Sequence, residues 1–197
     1  MRPRQDPLSG TGTLRPIPSA FFDRPTATVA RALLGQWIVA GPRGAPRIAR
    51  LVETEAYVAR DRANHAFRGP TPRNRTMFGP PGRWYVYRIH QVHCANVVTR
   101  PGEAVLLRAA EGISPGLGPL NGPGRLARAF GLTREEDGRS ATRAAVRLVL
   151  APPPPERVVV GPRIGIRHGA RRRLRYALHG VAAVSRPRPP GWARVVT

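Results

Sequence analysis

Residues 36–57 read QWIVAGPRGAPRIARLVETEAY, and this stretch decides the fold. Residues 36–40 are apolar and β-favouring. Residues 41–46 hold Gly and Pro in turn-forming density. Residues 47–55 return to a strand pattern, so a β-hairpin is expected. In a strand, alternate residues share a face, so Glu53, Glu55 and Tyr57 point the same way. Two carboxylates about 7 Å apart on one face repel unless cations or a chemical task compensate. One reading is a solvent-facing strand edge neutralised by Arg; the other is a functional site.

Outward from the hairpin, the pattern continues as alternating strands and short helices. Upstream, Asp23 is a candidate N-cap for a helix with the apolar stripe Val29, Ala32, Leu33 and Leu34, closed by Gly35. Residues 58–83 are polar and rich in Gly, Pro and Arg, a long irregular loop of the kind usually kept for function. Strands are predicted over 84–89, 93–99, 104–109, 146–151, 158–166 and 173–178, with a short helix over 124–130. Residues 1–17 and 187–197 read as a flexible basic tail and a Pro-rich tail, leaving one domain over 18–186. The expected class is α+β: a mostly antiparallel, curved sheet with flanking helices.

Composition excludes several chemistries. The chain has 197 residues, 33 basic against 11 acidic, for a net charge of +22. Every basic residue is Arg. Without Lys there is no lysine Schiff base and no P-loop lysine. The single Cys, Cys94, forbids an internal disulfide and a Cys-built zinc site. A charge of this size predicts a polyanionic partner. No basic amphipathic helix is visible, so nucleic acid is favoured over an anionic membrane. Residues 161–197 contain nine Arg and no acid, including Arg171, Arg172 and Arg173. The basic loop with His65, followed by Tyr85 and Tyr87, suits a pocket that stacks an unpaired base.

The stretches FFDRPTATVARALLGQ (21–36), VETEAY (52–57), TPRNRTMF (71–78), YVY (85–87), CANVVT (94–99), VLLRAAE (105–111), GPGRLARAF (122–130) and RLRYALHG (173–180) together resemble the alkyladenine (3-methyladenine) DNA glycosylase family. The resemblance spans roughly residues 18–186. It implies a monofunctional base-excision enzyme that flips a damaged purine from duplex DNA and hydrolyses its N-glycosidic bond. Carried over by position, Glu55 is the general base and Arg108 positions the attacking water. Tyr57 stacks on one face of the flipped base, with His65 and Tyr87 on the other. Asn96 helps exclude guanine, and Ile164 offers a backbone carbonyl. A protruding hairpin probes the DNA.

The chain departs from the family at the hairpin tip. Where a Tyr-containing turn is common, this sequence has Ile89-His90-Gln91-Val92-His93, one residue shorter before Asn96. His90 is therefore the expected intercalating residue. Arg73, Arg75, Arg171, Arg172 and Arg173 are expected on the DNA backbone. The resemblance implies no metal and no cofactor, a monomer, and a cytoplasmic, nucleoid-associated location in a bacterium rather than secretion. The competing readings are a non-catalytic nucleic-acid-binding module and an inactive protein of the same fold.

Overall fold

The structure is a computed structural model describing residues 14–42, 45–190 and 192. The expected hairpin forms. Strands β1 (Trp37–Ala40) and β2 (Arg47–Tyr57) pair antiparallel, with Trp37 opposite Arg50 and Ala40 opposite Arg47. The remaining strands are β3 (Trp84–Ile89), β4 (Val92–Val98), β5 (Ala104–Gly112), β6 (Val146–Val149), β7 (Val158–Gly161) and β8 (Arg175–Leu178). Among the described residues they form one sheet, in the order β3-β4-β5-β2-β1-β6, with β8 joining β2 to β7. All pairings are antiparallel.

Strand β2 organises this sheet. One edge carries β5 along most of its length. The other edge is shared: β1 pairs with residues 47–50 and β8 with residues 53–55. Residues 53–55 are therefore covered by strands on both sides. Glu53 and Glu55 are fully buried, which corrects the reading of a solvent-facing edge. The β2–β5 ladder is irregular at this point. Its register steps from Leu51/Ala110 to Glu53/Ala109 and then to Thr54/Leu107, skipping Val52 on one strand and Arg108 on the other. Such irregularities re-aim side chains, and this one brackets Glu53.

Two helices flank the sheet. Helix α1 (Thr26–Ala32) is capped by Pro25, not by Asp23. Pro25 sits two residues beyond Asp23, and its fixed ring geometry suits the entry into the first turn. The helix is fastened to β2 where Thr54 Oγ1 donates to the Ala30 carbonyl at 2.8 Å. Helix α2 (Pro123–Phe130) buries Leu126, Ala127 and Phe130 and ends at Gly131 in the left-handed conformation, φ 69°. Trp84 is fully buried, and its indole N–H donates to the Val146 carbonyl at 3.0 Å.

Both predicted tails begin as packed chain. Ile17 is buried, and Pro16 bridges to Val149. At the other end Trp192 is 6% exposed, and its carbonyl accepts from Gly180 N–H. Residues 1–13 and the rest of 191–197 lie outside the described residues. The strand predicted over 158–166 stops at Gly161, because the chain then turns to bring Arg163 and Ile164 toward β2. The loop over 58–83 contains one 3-10 turn, Arg75–Phe78. Two buried amides hold its backbone. Asn64 Nδ2 donates to the Val58 and Gly102 carbonyls, and Asn74 Nδ2 to those of His65 and Gly69. No described helix is long and apolar enough to cross a membrane.

Candidate active site

Four charged side chains form a row beneath the sheet irregularity: Arg175, Glu53, Arg108 and Glu55. Arg175 Nε donates to Glu53 Oε1 at 2.5 Å. Arg108 Nε lies 3.3 Å from Glu53 Oε1 and 3.4 Å from Glu55 Oε1. That nitrogen is buried and makes a hydrogen bond to neither. The predicted common face of the two acids is thus realised, with Arg108 between them. Two cations and two anions leave the row formally neutral, which lessens the cost of burying it.

Glu55 has two further partners. Ile164 N–H donates to Oε1 at 2.8 Å, and Tyr57 Oη donates to Oε2 at 3.0 Å. Burial outweighs these interactions and pushes the Glu55 carboxyl above the usual carboxylate range. Arg108, the Ile164 N–H and the Tyr57 hydroxyl oppose that rise, while Glu53 adds to it. A raised but still ionisable carboxylate is a stronger base than a solvated one. Tyr57 is pushed up by burial and by the adjacent Glu55 charge, so its hydroxyl stays protonated and donating. The Ile164 contact observed is made by its N–H, a second backbone group beside the carbonyl expected there.

The aromatic side chains gather next to Glu55. Tyr57, His65, Tyr85, Tyr87 and Asn96 line a small cavity of about 20 Å³, room for about one water. His65 Nδ1 lies 2.9 Å from Tyr85 Oη, and its ring meets Tyr87 edge-on at 4.5 Å. Partial burial lowers the His65 pKa, so the neutral form is favoured. Burial pushes the Tyr85 phenol up to about 12. Asn96 is buried, with its amide N–H donating to the Tyr85 carbonyl at 3.0 Å. A larger cleft of about 560 Å³ opens outward, sharing His65, Tyr85 and Tyr87 with the inner cavity and adding Arg73, Arg88 and Ile89. The three shared rings form the wall between the two spaces.

Strands β3 and β4 end in a two-residue turn at His90 and Gln91, with φ values of 43° and 69°. Positive φ at both central residues is the geometry that matches strand twist in tight hairpins. His90 is exposed at this tip. Arg73, Arg75, Arg171, Arg172 and Arg173 are all exposed, but two have partners. Arg172 lies 3.1 Å from Asp61, and Arg173 donates to the Val160 carbonyl. Among the described residues no group of three or more His, Cys, Asp or Glu could hold a metal.

Sequence reading missed three participants. Arg163 is buried, pairs with Asp61 at 2.6 Å and lies over the Tyr57 ring at 4.6 Å. Arg175 holds Glu53, and Ser185 donates to it twice, from backbone N at 2.7 Å and from Oγ at 2.9 Å. The one available signal was compositional. Trp192 is a lone large aromatic in a Pro- and Arg-rich segment, and such residues seldom stay in solvent.

Comparison with known proteins agrees with this arrangement. The model for the methylpurine-DNA glycosylase family matches residues 20–182. A protein of Anaeromyxobacter dehalogenans strain 2CP-1 named "Putative 3-methyladenine DNA glycosylase" is 52% identical over 186 residues, covering 90% of this chain and 88% of the relative. Proteins of the same name from Myxococcus xanthus and Methanoculleus marisnigri are 43% and 42% identical, covering 96% and 98% of those relatives and 89% and 86% of this chain. With its buried Glu55–Arg108 pair, aromatic cavity and Arg-rich surface, the chain belongs to the methylpurine-DNA glycosylase family and is a DNA glycosylase.

Proposed function

We propose that the enzyme removes alkylated and deaminated purines, of the 3-methyladenine, 7-methylguanine, ethenoadenine and hypoxanthine class, from duplex DNA, leaving an abasic site. The observation that carries this reading is Glu55. It is a fully buried carboxylate beside a cation, and it accepts a hydrogen bond from Tyr57, which lines the aromatic cavity.

The target nucleotide rotates out of the helix, and its base enters between Tyr57 on one side and His65 and Tyr87 on the other. Damaged bases pair and stack less well, so extrusion costs less. The inner cavity is smaller than a purine, so entry requires the wall of His65, Tyr85 and Tyr87 to yield. Purines alkylated at N3 or N7 carry positive charge and gain cation–π attraction from the rings. The buried Asn96 amide crowds the pocket floor and disfavours the extra amino group of guanine.

A water then attacks C1′ of the sugar and gives its proton to Glu55. The C1′–N bond breaks and its electron pair leaves with the purine. A carboxylate next to C1′ also stabilises the oxocarbenium-like transition state. Arg108 orients the water and keeps Glu55 ionised, and the Ile164 backbone helps hold that geometry. Without lysine, no lysine Schiff base forms with the abasic sugar, and simple hydrolysis leaves the strand intact.

Arg73, Arg75 and the segment 171–173 supply phosphate contacts, and the turn bearing His90 enters the gap left by the flipped nucleotide. The enzyme acts as a monomer beside the nucleoid in the cytoplasm. The test is a duplex carrying one ethenoadenine, hypoxanthine or 3-methyladenine, incubated and then treated with alkali. Wild type yields alkali-labile product and Glu55→Gln does not. Tight binding with no release of any lesion would replace this reading with a non-catalytic nucleic-acid-binding module.

A further inference from the structure

The family match ends at residue 182, yet the chain beyond it reaches the buried charges of the site. Glu53 is 0% exposed and accepts from Ser185 N, Ser185 Oγ and Arg175 Nε. Arg175 in turn donates through Nη1 to the Pro187 carbonyl at 2.8 Å and through Nη2 to the Ser185 carbonyl at 3.0 Å. Trp192 lies over its guanidinium at 4.5 Å. The fit is close, because a Cβ on Gly161 of β7 would come within 2.8 Å of the Trp192 ring. Two adjacent strands and the C-terminal segment thus enclose one ion pair.

We propose that Ser185 and Trp192 are positioning residues, which act through Arg175 and Glu53 to hold Arg108 in register with Glu55. This rests on the glycosylase reading above. The geometric argument is that Arg108 Nε stands almost equally far from both acids. Were Glu53 free to turn away, Arg108 would collapse onto Glu55 as a closed pair, a weaker base with a poorly placed guanidinium. Glu53 is kept from turning by five bonds made to it or to Arg175, four of which involve the segment 185–187. The Trp192 ring covers the remaining face of Arg175 by cation–π contact.

The groups facing Glu55 are Glu53 and Tyr57 from β2, Arg108 from β5, Arg175 from β8, Cys94 from β4 and the Ile164 N–H. Loss of the Glu53 charge removes a neighbour that raises the Glu55 pKa and leaves Arg108 to Glu55 alone. Both changes lower that pKa.

The experiment uses the full chain and single-turnover excision at saturating enzyme, on whichever of ethenoadenine, hypoxanthine or 3-methyladenine the wild type releases fastest. Trp192→Leu keeps apolar volume but has no π face. Its rate is expected to fall roughly tenfold while duplex affinity stays within about twofold. Trp192→Phe is expected to restore the rate. Glu53→Gln is expected to move the acid limb of the rate–pH profile to lower pH, a change that loss of packing alone would not produce. Ser185→Ala, which deletes one hydroxyl donor to the buried Glu53, is expected to lower the rate roughly threefold and to lower Tm by a few degrees, and it carries the same test if Trp192→Leu fails to fold. Unchanged rates and an unchanged acid limb in these variants would overturn the inference, whatever happens to Tm. A wild type inactive on every lesion would overturn the glycosylase reading and the inference together; an active wild type with indifferent variants overturns the inference alone.

Discussion

Arginine does opposite work in two regions of this molecule. In the sheet, Arg108 and Arg175 are buried among Glu53 and Glu55 and act at short range. On the surface, Arg73, Arg75 and the run 171–173 face solvent, where salt screens their charge and a single exposed pair contributes little. The same residue type is therefore fixed by buried acids inside and largely solvated outside, even where Arg172 pairs with Asp61 and Arg173 with the Val160 carbonyl. Substitutions should separate the two regions by size, kind and salt dependence of their effects.

The largest effect is expected at the interior row. Glu55→Gln should lower excision by about a hundredfold to ten-thousandfold, measured by single-turnover release, with duplex binding retained. It also tests the pKa. The folded-state pKa of Glu55 is raised, so the fold favours the protonated carboxyl more than the unfolded chain does, and that stabilising contribution is lost as pH rises through the folded-state pKa. Gln cannot ionise. The Tm of Glu55→Gln relative to wild type should therefore climb as pH rises through the same window, while the wild-type rate should climb there too. A Tm difference that is flat with pH would contradict the raised pKa.

Next in size is Glu53→Ala, which strands Arg175 without its buried partner. A loss of about 3–5 kcal/mol in urea unfolding is expected. A loss under about 1 kcal/mol would place Glu53 energetically with the surface charges.

The exterior comes third. Arg73→Ala or Arg75→Ala should weaken lesion and undamaged duplexes alike by a few-fold. If the deleted side chain touches a phosphate, the slope of log affinity against log salt should become shallower by about 0.9. The saturated excision rate should not move. A change in that rate without a change in slope would show that these arginines belong to the interior group.

The smallest effect lies at the hairpin tip. Gln91 has φ 69° without being glycine, a conformation that costs L-residues roughly 1–2 kcal/mol. Gln91→Gly should therefore raise stability by up to about 1 kcal/mol, read as a small rise in Tm.

The two regions also differ in how legible they were. Strands β1 to β6 and helix α2 follow from local pattern: alternation, turn residues, and Pro before with Gly after the helix. The motif around Glu55 is contiguous, so its resemblance could be read directly. The surroundings of Glu53 could not. Its ion-pair partner Arg175 is 122 residues away in sequence, and nothing local marks a carboxylate as buried. Burial depends on Arg108 and Arg175, which the β2–β5 and β2–β8 pairings deliver from far along the chain. Asp61 and Arg163 are 102 residues apart and were hidden for the same reason. The packed ends at Ile17 and Trp192 were read as tails because Pro- and Arg-rich composition outweighed single apolar residues whose partners lie far along the chain.

The tethered loop after β2 has a practical consequence for proteolysis. With no lysine in the chain, trypsin can cut only after arginine. Arg60, Arg62, Arg68, Arg73 and Arg75 are exposed along this loop, which by composition would be the first place digested. A protease must draw several residues of backbone into its cleft, and here Asn64 and Asn74 hold the carbonyls of Val58, His65, Gly69 and Gly102. Digestion of the native protein should therefore spare this wall of the aromatic cavity until the fold opens, and a nick within it would report local unfolding.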